Sequence, residues 1–513
     1  MGLFNFGRKK ELKIEEPKAM THAAENQSDV QVETMPESSE SESKGTESEP
    51  NADISLFQHI SSSEVQQETS PLFESFQETK IVDNSNSKLV HLAHLAPRPK
   101  DISDTGLSEK VLLEILIKAL YSNGVCTIRE LAKFTCLAGG ILQTLIDIAK
   151  QKKLVENHQV QNNQMRFGLS HIGELSAEKM LAKAGYQGPA PVPLNQYAQI
   201  AVKQSSRNHL VTKELLMKVF SNLTFSDELL EKVGPSLNSF KPVLIYGAPG
   251  TGKSYFCRHL NLVFGDTVLI PYSIEVNGEI IRIYDPEIHQ KVPVEPAEPE
   301  NGVLSLTQGF DPRWVLCQRP LIVTGGELDA EMLEVRFDPQ NKTYKAPLQL
   351  KANNGILLLD DLGRQRITPK QLFNRWIVPL EERRDFLSLQ SGAHFEIPFE
   401  LIMLFSTNLS PTDLVDDAFL RRLGYKIQFE ELAESHYRQI WEQECEKFGL
   451  VGNSDVFEYL VNQLHKTHGK PYLPCYPRDL LSIISDQVKY KGLKNDVNCE
   501  LLNFAWTSYF VSE

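Results

Sequence analysis

The residues with the most chemically specific spacing form one loop: Gly247, Ala248, Pro249, Gly250, Thr251, Gly252, Lys253 and Ser254. They match the pattern G-x-x-x-x-G-K-[ST], and the apolar residues 243–246 precede them as a short buried strand would. Glycines let the backbone turn several N–H groups toward one anion, and the helix expected next presents its positive end to it. The spacing therefore predicts a nucleoside triphosphate site, with Lys253 on the β- and γ-phosphates and the Ser254 hydroxyl on Mg²⁺.

A second apolar run, residues 355–359, ends in two acids, Asp360 and Asp361. Its continuous hydrophobicity predicts a buried parallel strand beside the first one. A phosphate loop needs a metal-binding acid on a neighbouring strand, so we expect Asp360 to hold Mg²⁺, directly or through water. Asp361 would then orient the attacking water. In isolation, a buried strand that ends in a solvated acidic turn would explain the same residues.

Three further polar groups could complete such a site. Residues 401–406 indicate a third strand that leads to Asn408, whose amide could hydrogen-bond the water or the γ-phosphate. Arg421 and Arg422 close a helix, where a guanidinium can either stabilise a neighbour's γ-phosphate or simply complement the helix dipole. Arg478 lies in the first turn of a later helix, which the dipole disfavours. That placement indicates an anionic partner.

Length and composition set the broad class. With 513 residues and 41% hydrophobic content, we expect two or three domains with proper cores. The sequence contains no apolar run of membrane-spanning length and no secretory signal pattern. Seven scattered cysteines without C-x-x-C spacing argue against a disulfide framework or a zinc site, so a cytoplasmic location is expected. The net charge of -14 disfavours non-specific nucleic-acid binding by the whole chain.

The pattern of elements divides the chain into four regions. Residues 1–104 are rich in Glu, Ser, Gln and Asn, which predicts a disordered acidic region. Its first ten residues form an amphipathic basic tip: either a frayed end or a contact to a partner or to the inner membrane surface. Residues 105–187 predict a winged-helix domain, residues 188–430 an α/β ATPase domain with β insertions, and residues 431–513 a helical lid.

The expected winged helix has two interpretations, DNA binding and protein contact. Its third helix devotes most positions to core, and the polar side chains available for base edges are Gln143, Thr144 and Asp147. Sequence-specific DNA binding requires such base-reading side chains. Protein contact is therefore favoured, and the nucleic-acid interpretation remains as an alternative.

These motifs occur in the order of an AAA+ ATPase, which the chain resembles over residues 188–513. The segments GPAPVPL, APLQLKANNGILLLDDLGRQ, LFNRWIVPLEERRDFLSL and DAFLRRLGYKI are similar to a bacterial group described as ATPases with chaperone activity, akin to the MoxR type. The resemblance implies an α/β phosphate-loop NTPase core, a parallel sheet sandwiched by helices, with a helical C-terminal lid.

The resemblance also implies ATP and Mg²⁺ clamped between the subunits of a ring, usually a homo-hexamer, that acts on a protein or complex. It assigns roles to the residues: Walker A to 247–254, Walker B to Asp360 and Asp361, sensor 1 to Asn408, sensor 2 to Arg478, and the arginine finger to Arg422, with Arg421 as its rival. One departure is Asp361, which is one methylene shorter than the usual glutamate.

The leading hypothesis is thus an ATP-hydrolysing protein that remodels protein complexes. A nucleotide-gated scaffold with little hydrolysis is the first alternative, because Asp361 is short. A DNA-associated loader or regulator is the second. Hairpins are predicted around Asn277-Gly278 and Ser391-Gly392. Phe310 and Trp314 suit either the core, which is favoured, or a grip on an extended polypeptide.

Overall fold

The computed structural model describes residues 91–161, 164–221, 223–293, 309–414 and 417–510. The basic tip and most of the acidic region therefore lie outside the described residues. Residues 91–104 were expected to belong to that disordered region, and this expectation is wrong. Residues 91–95 are helical, and Leu92 and Ala96 are buried in the core of the central β-strands. Their apolar side chains have a core to enter, which the acidic and polar composition of the residues farther toward the N-terminus concealed.

The N-terminal region has the element order that the sequence predicts, three helices and then a hairpin. Its elements are α1 (Glu109–Asn123), β1 (Cys126–Thr127), α2 (Ile128–Thr135), α3 (Gly139–Gln151), β2 (Val155–Gln161), β3 (Gln164–Leu169) and α4 (His171–Lys183). The strands form an antiparallel sheet of order β1-β3-β2. Thr127 and Glu130 form a capping box that fixes the start of α2, because each side chain accepts the other's backbone N–H.

None of the described helices is, by itself, long and apolar enough to cross a membrane. Helices α2 and α3 reach that length and apolarity only when taken together, and they are bent by 108° at their junction.

The central region alternates short strands and helices. It begins with β4 (Val192–Pro193), α5 (Leu194–Lys203), α6 (Lys213–Val219), α7 (Asp227–Ser239), β5 (Val243–Gly247), α8 (Lys253–His259), β6 (Thr267–Pro271), β7 (Ser273–Val276) and β8 (Glu279–Arg282). It continues with β9 (Trp314–Gln318), β10 (Leu321–Thr324), β11 (Arg336–Asp338), β12 (Thr343–Lys345), α9 (Leu348–Lys351), β13 (Ile356–Leu359), α10 (Pro369–Glu382), β14 (Arg384–Ser388), β15 (His394–Pro398), β16 (Ile402–Thr407), α11 (Pro411–Leu414), α12 (Asp417–Leu420) and β17 (Tyr425–Phe429).

Five of these strands form a parallel sheet of order β10-β13-β16-β5-β17. Side chains alternate between its faces: Val243 and Ile245 of β5 pack into one core, and Leu244 packs into the other. Each core is closed by helices, with Phe256 of α8 on the first face and Trp376 of α10 on the second. Burial on both faces explains why the inner strands β13 and β16 are largely apolar, whereas the edge strand β17 alternates apolar and polar residues.

The inserted strands build a separate β module with its own core. Its main sheet has the order β11-β12-β8-β7-β4, and β6-β9 and β14-β15 form two-stranded ladders. The expected hairpin turn at Asn277 and Gly278 is present, with φ of 51° and 83°. Trp314 is 2% exposed and Phe310 packs partly buried against the same core. The core interpretation of Trp314 is confirmed, and a grip on a polypeptide is excluded for it.

A buried ion pair joins the N-terminal region to the β module. The Arg313 guanidinium lies 2.7 Å from Asp311, and both side chains are fully buried. Arg313 also donates to the backbone oxygens of Thr105 and Pro191, each at 3.0 Å. Removing one member of such a pair leaves an uncompensated buried charge. The pair therefore holds the two regions in one arrangement.

The C-terminal region is helical, as predicted. Its elements are α13 (Glu434–Phe448), β18 (Val451–Gly452), α14 (Ser454–Tyr459), a π-helical segment (Leu460–His465), α15 (Lys466–His468), α16 (Cys475–Lys491), β19 (Asp496–Val497) and α17 (Cys499–Tyr509). Its core is rich in aromatic side chains, among them Tyr437, Trp441 and Trp506.

Candidate functional site

The predicted site lies at the carboxyl edge of the parallel sheet. Thr407 of β16 is paired with Tyr246 of β5, and Leu359 of β13 is paired with Phe405 of β16. Because parallel strands end at the same edge, the loops that follow β5, β13 and β16 meet there. In open α/β sheets this edge is where ligands bind.

The loop after β5 has the backbone of an anion cradle. Gly247, Gly250 and Gly252 have φ of 148°, 84° and 88°. A Cβ on Gly247 would lie 2.2 Å from the Phe429 backbone oxygen, so that position has room for glycine alone.

The loop's lysine points back into the loop that carries it. Lys253 is 5% exposed, and its Nζ donates to the backbone oxygens of Gly247 at 2.9 Å and Ala248 at 2.7 Å. Burial lowers the pKa of the Lys253 ammonium, and the carboxylates of Asp360 and Asp361 oppose that shift. An ammonium that donates to carbonyl oxygens can exchange those acceptors for phosphate oxygens. The cradle therefore fits a phosphate chain.

A hydroxyl and a carboxylate meet beside the loop. Ser254 Oγ donates to Asp360 Oδ1 at 2.8 Å, across the junction between α8 and β13. The Asp361 backbone N–H donates to the same oxygen at 3.1 Å. Oxygen ligands of this kind suit Mg²⁺, which takes one or two protein carboxylates and completes its shell with water and phosphate. The donor set fits the expected metal.

Asp361 and Asn408 are also brought together. The Asn408 side-chain amide donates to Asp361 Oδ1 at 3.0 Å, so the ends of β13 and β16 are linked directly. The preceding residue, Thr407, is fully buried and donates to the Leu362 backbone oxygen at 2.9 Å. Five predicted residues thus converge at one edge: Lys253, Ser254, Asp360, Asp361 and Asn408.

The two arginines lie elsewhere. Arg421 and Arg422 follow α12 and precede β17, whose Tyr425 pairs with Val243, the first residue of β5. They therefore lie near the amino edge, about 13 Å of strand from the phosphate loop at ~3.3 Å per residue. Arg422 Nε is 2.6 Å from Glu381 of α10. Arg421 is exposed and forms no ion pair with another described residue. Neither arginine can serve the loop of its own chain.

Arg478 is near the loop only through its neighbours. A Cβ on Gly250 would lie 2.7 Å from Cys475 Sγ, so the first turn of α16 rests on the phosphate loop. Arg478 itself is 65% exposed and pairs with Asp479 at 3.0 Å. The first turn of α16 thus lies against the loop, while Arg478 is directed to an adjacent acid.

Sequence reasoning missed two charged residues at the same edge. Arg364 Nη1 lies 3.2 Å from Asp361 Oδ2. Glu327 follows β10, where its carboxylate accepts from the Gly325 N–H at 2.9 Å, and that bond lowers its pKa. The available signal for Glu327 was its position three residues after the end of β10. Arg364 follows Asp361 by three residues in the sequence, which placed it within reach.

Comparisons with known proteins give loose likenesses. A family profile described as "Domain of unknown function (DUF8689)" matches residues 433–508. No curated protein matches the sequence. A RuvB Holliday junction branch migration motor from Thermotoga maritima is 10% identical, with a TM-score of 0.33, over 57% of this chain and 72% of that one. NtrX from Brucella abortus is 14% identical, with a TM-score of 0.36, over 67% of each chain. Likenesses this loose carry no argument about the site.

The described residues form an α/β core whose parallel sheet carries a glycine-rich loop of the phosphate-binding type at its carboxyl edge. The parallel sheet, the glycine loop and the two acids at its carboxyl edge are together in one chain.

Proposed function

We propose that this protein binds ATP with Mg²⁺ and hydrolyses it. The observation that carries the proposal is the convergence of Lys253, Ser254, Asp360, Asp361 and Asn408 on one sheet edge. All five residues are needed to combine a phosphate cradle, a hydroxyl–carboxylate pair that suits a metal ion, and an acid held by an amide.

Each residue has a distinct task in this proposal. The backbone N–H groups of the loop and the Lys253 ammonium hold the phosphate oxygens and neutralise their charge. Ser254 and Asp360 would hold the Mg²⁺ ion, which would supply further neutralisation of phosphate charge. Asp361 accepts a hydrogen bond from the attacking water, and Asn408 fixes the carboxylate that does so. Orientation and charge stabilisation account for most of the rate gain in phosphoryl transfer.

We further propose that the protein works as a ring, with six subunits as the expected number. Arg421 and Arg422 lie near the edge opposite the loop, so a guanidinium reaches a γ-phosphate only across a subunit boundary. Arg421 suits that role better than Arg422, because Arg422 engages Glu381 in its own chain. The helical region that rests on Gly250 would act as the lid that senses nucleotide.

The proposed output is remodelling of a protein or protein complex. We propose that the N-terminal winged helix contacts protein, because the outward side chains of α3 bind one another. Gln143 donates to both oxygens of Asp147 at 3.1 and 3.2 Å, and Lys150 lies 3.9 Å from the same carboxylate. An exposed carboxylate at that position repels DNA phosphates. A cytoplasmic location with membrane contact through residues 1–10 remains part of the proposal.

The decisive experiment is Asp361→Asn. Asparagine tolerates the left-handed backbone at this position, φ 53°, so the fold should be kept. Steady-state ATP turnover should fall by about 10²- to 10³-fold, while binding of a fluorescent ATP analogue stays unchanged. Asp413→Asn, an exposed acid outside the site, is the matched control. Equal turnover by Asp361→Asn and the unmodified protein would remove the assigned role of Asp361.

The nucleotide-gated scaffold is the second candidate, because both oxygens of Asp361 already have partners. Oδ1 accepts a hydrogen bond from Asn408, and Oδ2 forms an ion pair with Arg364. It predicts ATP-dependent assembly with turnover no faster than that of the Asp361→Asn variant. Light scattering with and without ATP, run beside the turnover assay, separates the two functions. For the DNA alternative, duplex binding by the full chain that weakens steeply with salt would favour it.

A further inference from the structure

Asp361 has an unusual backbone conformation. Its φ of 53° lies in the left-handed region, which aspartate and asparagine tolerate better than other residues with a side chain. The turn around it is firmly held, because Leu362 N–H donates to the Ser406 oxygen at 2.7 Å. Gln365 Nε2 donates to the backbone oxygens of Asp360 and Asp361 at 3.0 and 3.2 Å. The fixed backbone therefore sets the direction of the Cα–Cβ bond of Asp361.

The direction of the carboxylate then depends on two donors. Asn408 Nδ2 lies 3.0 Å from Oδ1, and Arg364 Nη1 lies 3.2 Å from Oδ2. With one donor per oxygen, the plane of the carboxylate is fixed, and a second lone pair on each oxygen remains available. With one donor alone, the carboxylate could rotate about its last torsion, which is broad.

We propose that Arg364 is a positioning residue for Asp361: together with Asn408 it fixes the plane of the carboxylate that orients the attacking water. The inference rests on the proposed hydrolysis. Arg364 is 72% exposed and touches neither the phosphate loop nor the metal pair by any hydrogen bond or ion pair among the described residues. Its effect on the reaction would therefore pass through Asp361. A small displacement of the Asp361 carboxylate can have a large effect on the rate.

The alternative explanation is an incidental surface ion pair between residues three apart in sequence. Such pairs contribute little to stability, so both explanations expect a folded Arg364→Ala variant. They differ in kinetics. Positioning predicts a fall in kcat of about 10- to 100-fold, with KM and the affinity for a fluorescent ATP analogue unchanged. An incidental pair predicts no change in kcat.

Two further variants complete the experiment. Arg364→Lys keeps the positive charge and should recover part of kcat. Arg366→Ala removes a nearby exposed arginine and should behave as the unmodified protein. A nucleotide-free crystal structure of Arg364→Ala should have the Asp361 carboxylate turned away from its present plane, whereas that of Arg366→Ala should not.

The outcomes separate this inference from the proposed function. If the unmodified protein hydrolyses no more ATP than Lys253→Ala, the proposed function fails, and the crystal structures alone decide the positioning role. If turnover is genuine but Arg364→Ala matches Arg366→Ala in kcat, only the positioning role is overturned. A fall in kcat accompanied by weaker nucleotide binding, or by a lower melting temperature, would also overturn it.

Discussion

The two edges of the parallel sheet differ in how complete they are. At the carboxyl edge, hydrogen bonds of 2.8 to 3.1 Å link Ser254, Asp360, Asp361 and Asn408, and Lys253 donates to carbonyl oxygens of its own loop. Near the amino edge, Arg422 is paired with Glu381 at 2.6 Å and Arg421 faces solvent. The carboxyl edge holds the phosphate- and metal-binding groups of the proposed site. The amino edge carries the arginines that this site lacks.

The difference follows from strand direction. Every strand of this sheet runs the same way, so residues after strands share one edge and residues before strands share the other. A single chain cannot fold its own arginines across the sheet to its own phosphate loop. A second copy can offer its amino edge to the first copy's carboxyl edge, which is the head-to-tail contact that closes into rings. Variants that disable one edge at a time test whether the two edges work together.

The largest effect is expected from Lys253→Ala, which disables the carboxyl edge. Two charge-assisted hydrogen bonds to phosphate, at about 1.5–3 kcal/mol each, would be lost. The affinity for ATP should fall on the order of 10³-fold, and turnover should become undetectable. Isothermal titration calorimetry with ATP measures the first quantity. Lys232→Ala, an exposed lysine paired with Glu228, is the matched control and should bind normally. Normal ATP affinity for Lys253→Ala would place the nucleotide elsewhere.

The next largest effects on turnover are expected when Arg421 and Arg422 are replaced. Arg421→Ala should lower turnover by about 10³-fold, the low end for an arginine that stabilises the transition state from a neighbouring subunit. ATP affinity should change little, because the affected charge belongs to another copy's site. Arg422→Ala should cost less than about tenfold, since it removes a surface ion pair with Glu381.

A mixing experiment makes this test specific to the comparison of edges. Arg421→Ala and Lys253→Ala chains, each inactive alone, should regain part of the turnover when combined, because one supplies an intact carboxyl edge and the other an intact amino edge. If mixtures stay inactive while assembly is normal, or if Arg422→Ala proves the more damaging variant, the proposed role of Arg421 is wrong.

The two edges were also unequally predictable from the sequence. The glycine loop, the apolar runs and the polar residues after them are local patterns, and parallel pairing then brings Asp360 and Asn408 to the loop without further information. The β module was indicated by its turns, Asn277-Gly278 above all, but its own core was not. Ion pairs such as Arg364–Asp361 and Arg422–Glu381 depend on side-chain directions, which no spacing rule supplies. The burial of Leu92 and Ala96 was hidden because the core that they enter lies far along the chain.

A smaller effect is expected when Asp361 is lengthened rather than removed. We expect Asp361→Glu to lower turnover by about tenfold. Glutamate tolerates the left-handed backbone less well, at about 1 kcal/mol, and its extra methylene carries the carboxylate beyond Asn408 and Arg364. Turnover and thermal unfolding of this variant, with Asp413→Glu as control, measure both consequences. Faster turnover by the glutamate variant would mean that the left-handed turn is no constraint.

The smallest effect is expected for Arg478, the cation that the sequence assigned to the carboxyl edge. Its guanidinium is 65% exposed and bound to Asp479, whose other oxygen accepts from the Tyr509 hydroxyl at 2.9 Å. To meet a phosphate it must leave one carboxylate for another anion, so the net gain is that of an exposed ion pair, about 0–1 kcal/mol. Arg478→Ala should therefore weaken ATP binding by no more than about fivefold. Asp479→Asn should instead tighten binding slightly, because it frees the guanidinium, and Lys489→Ala, in the last turn of the same helix, serves as control. A hundredfold loss of affinity in Arg478→Ala would mean that the arginine swings onto the nucleotide, and the carboxyl edge would then be completed by its own chain's helical region as well as by a neighbour.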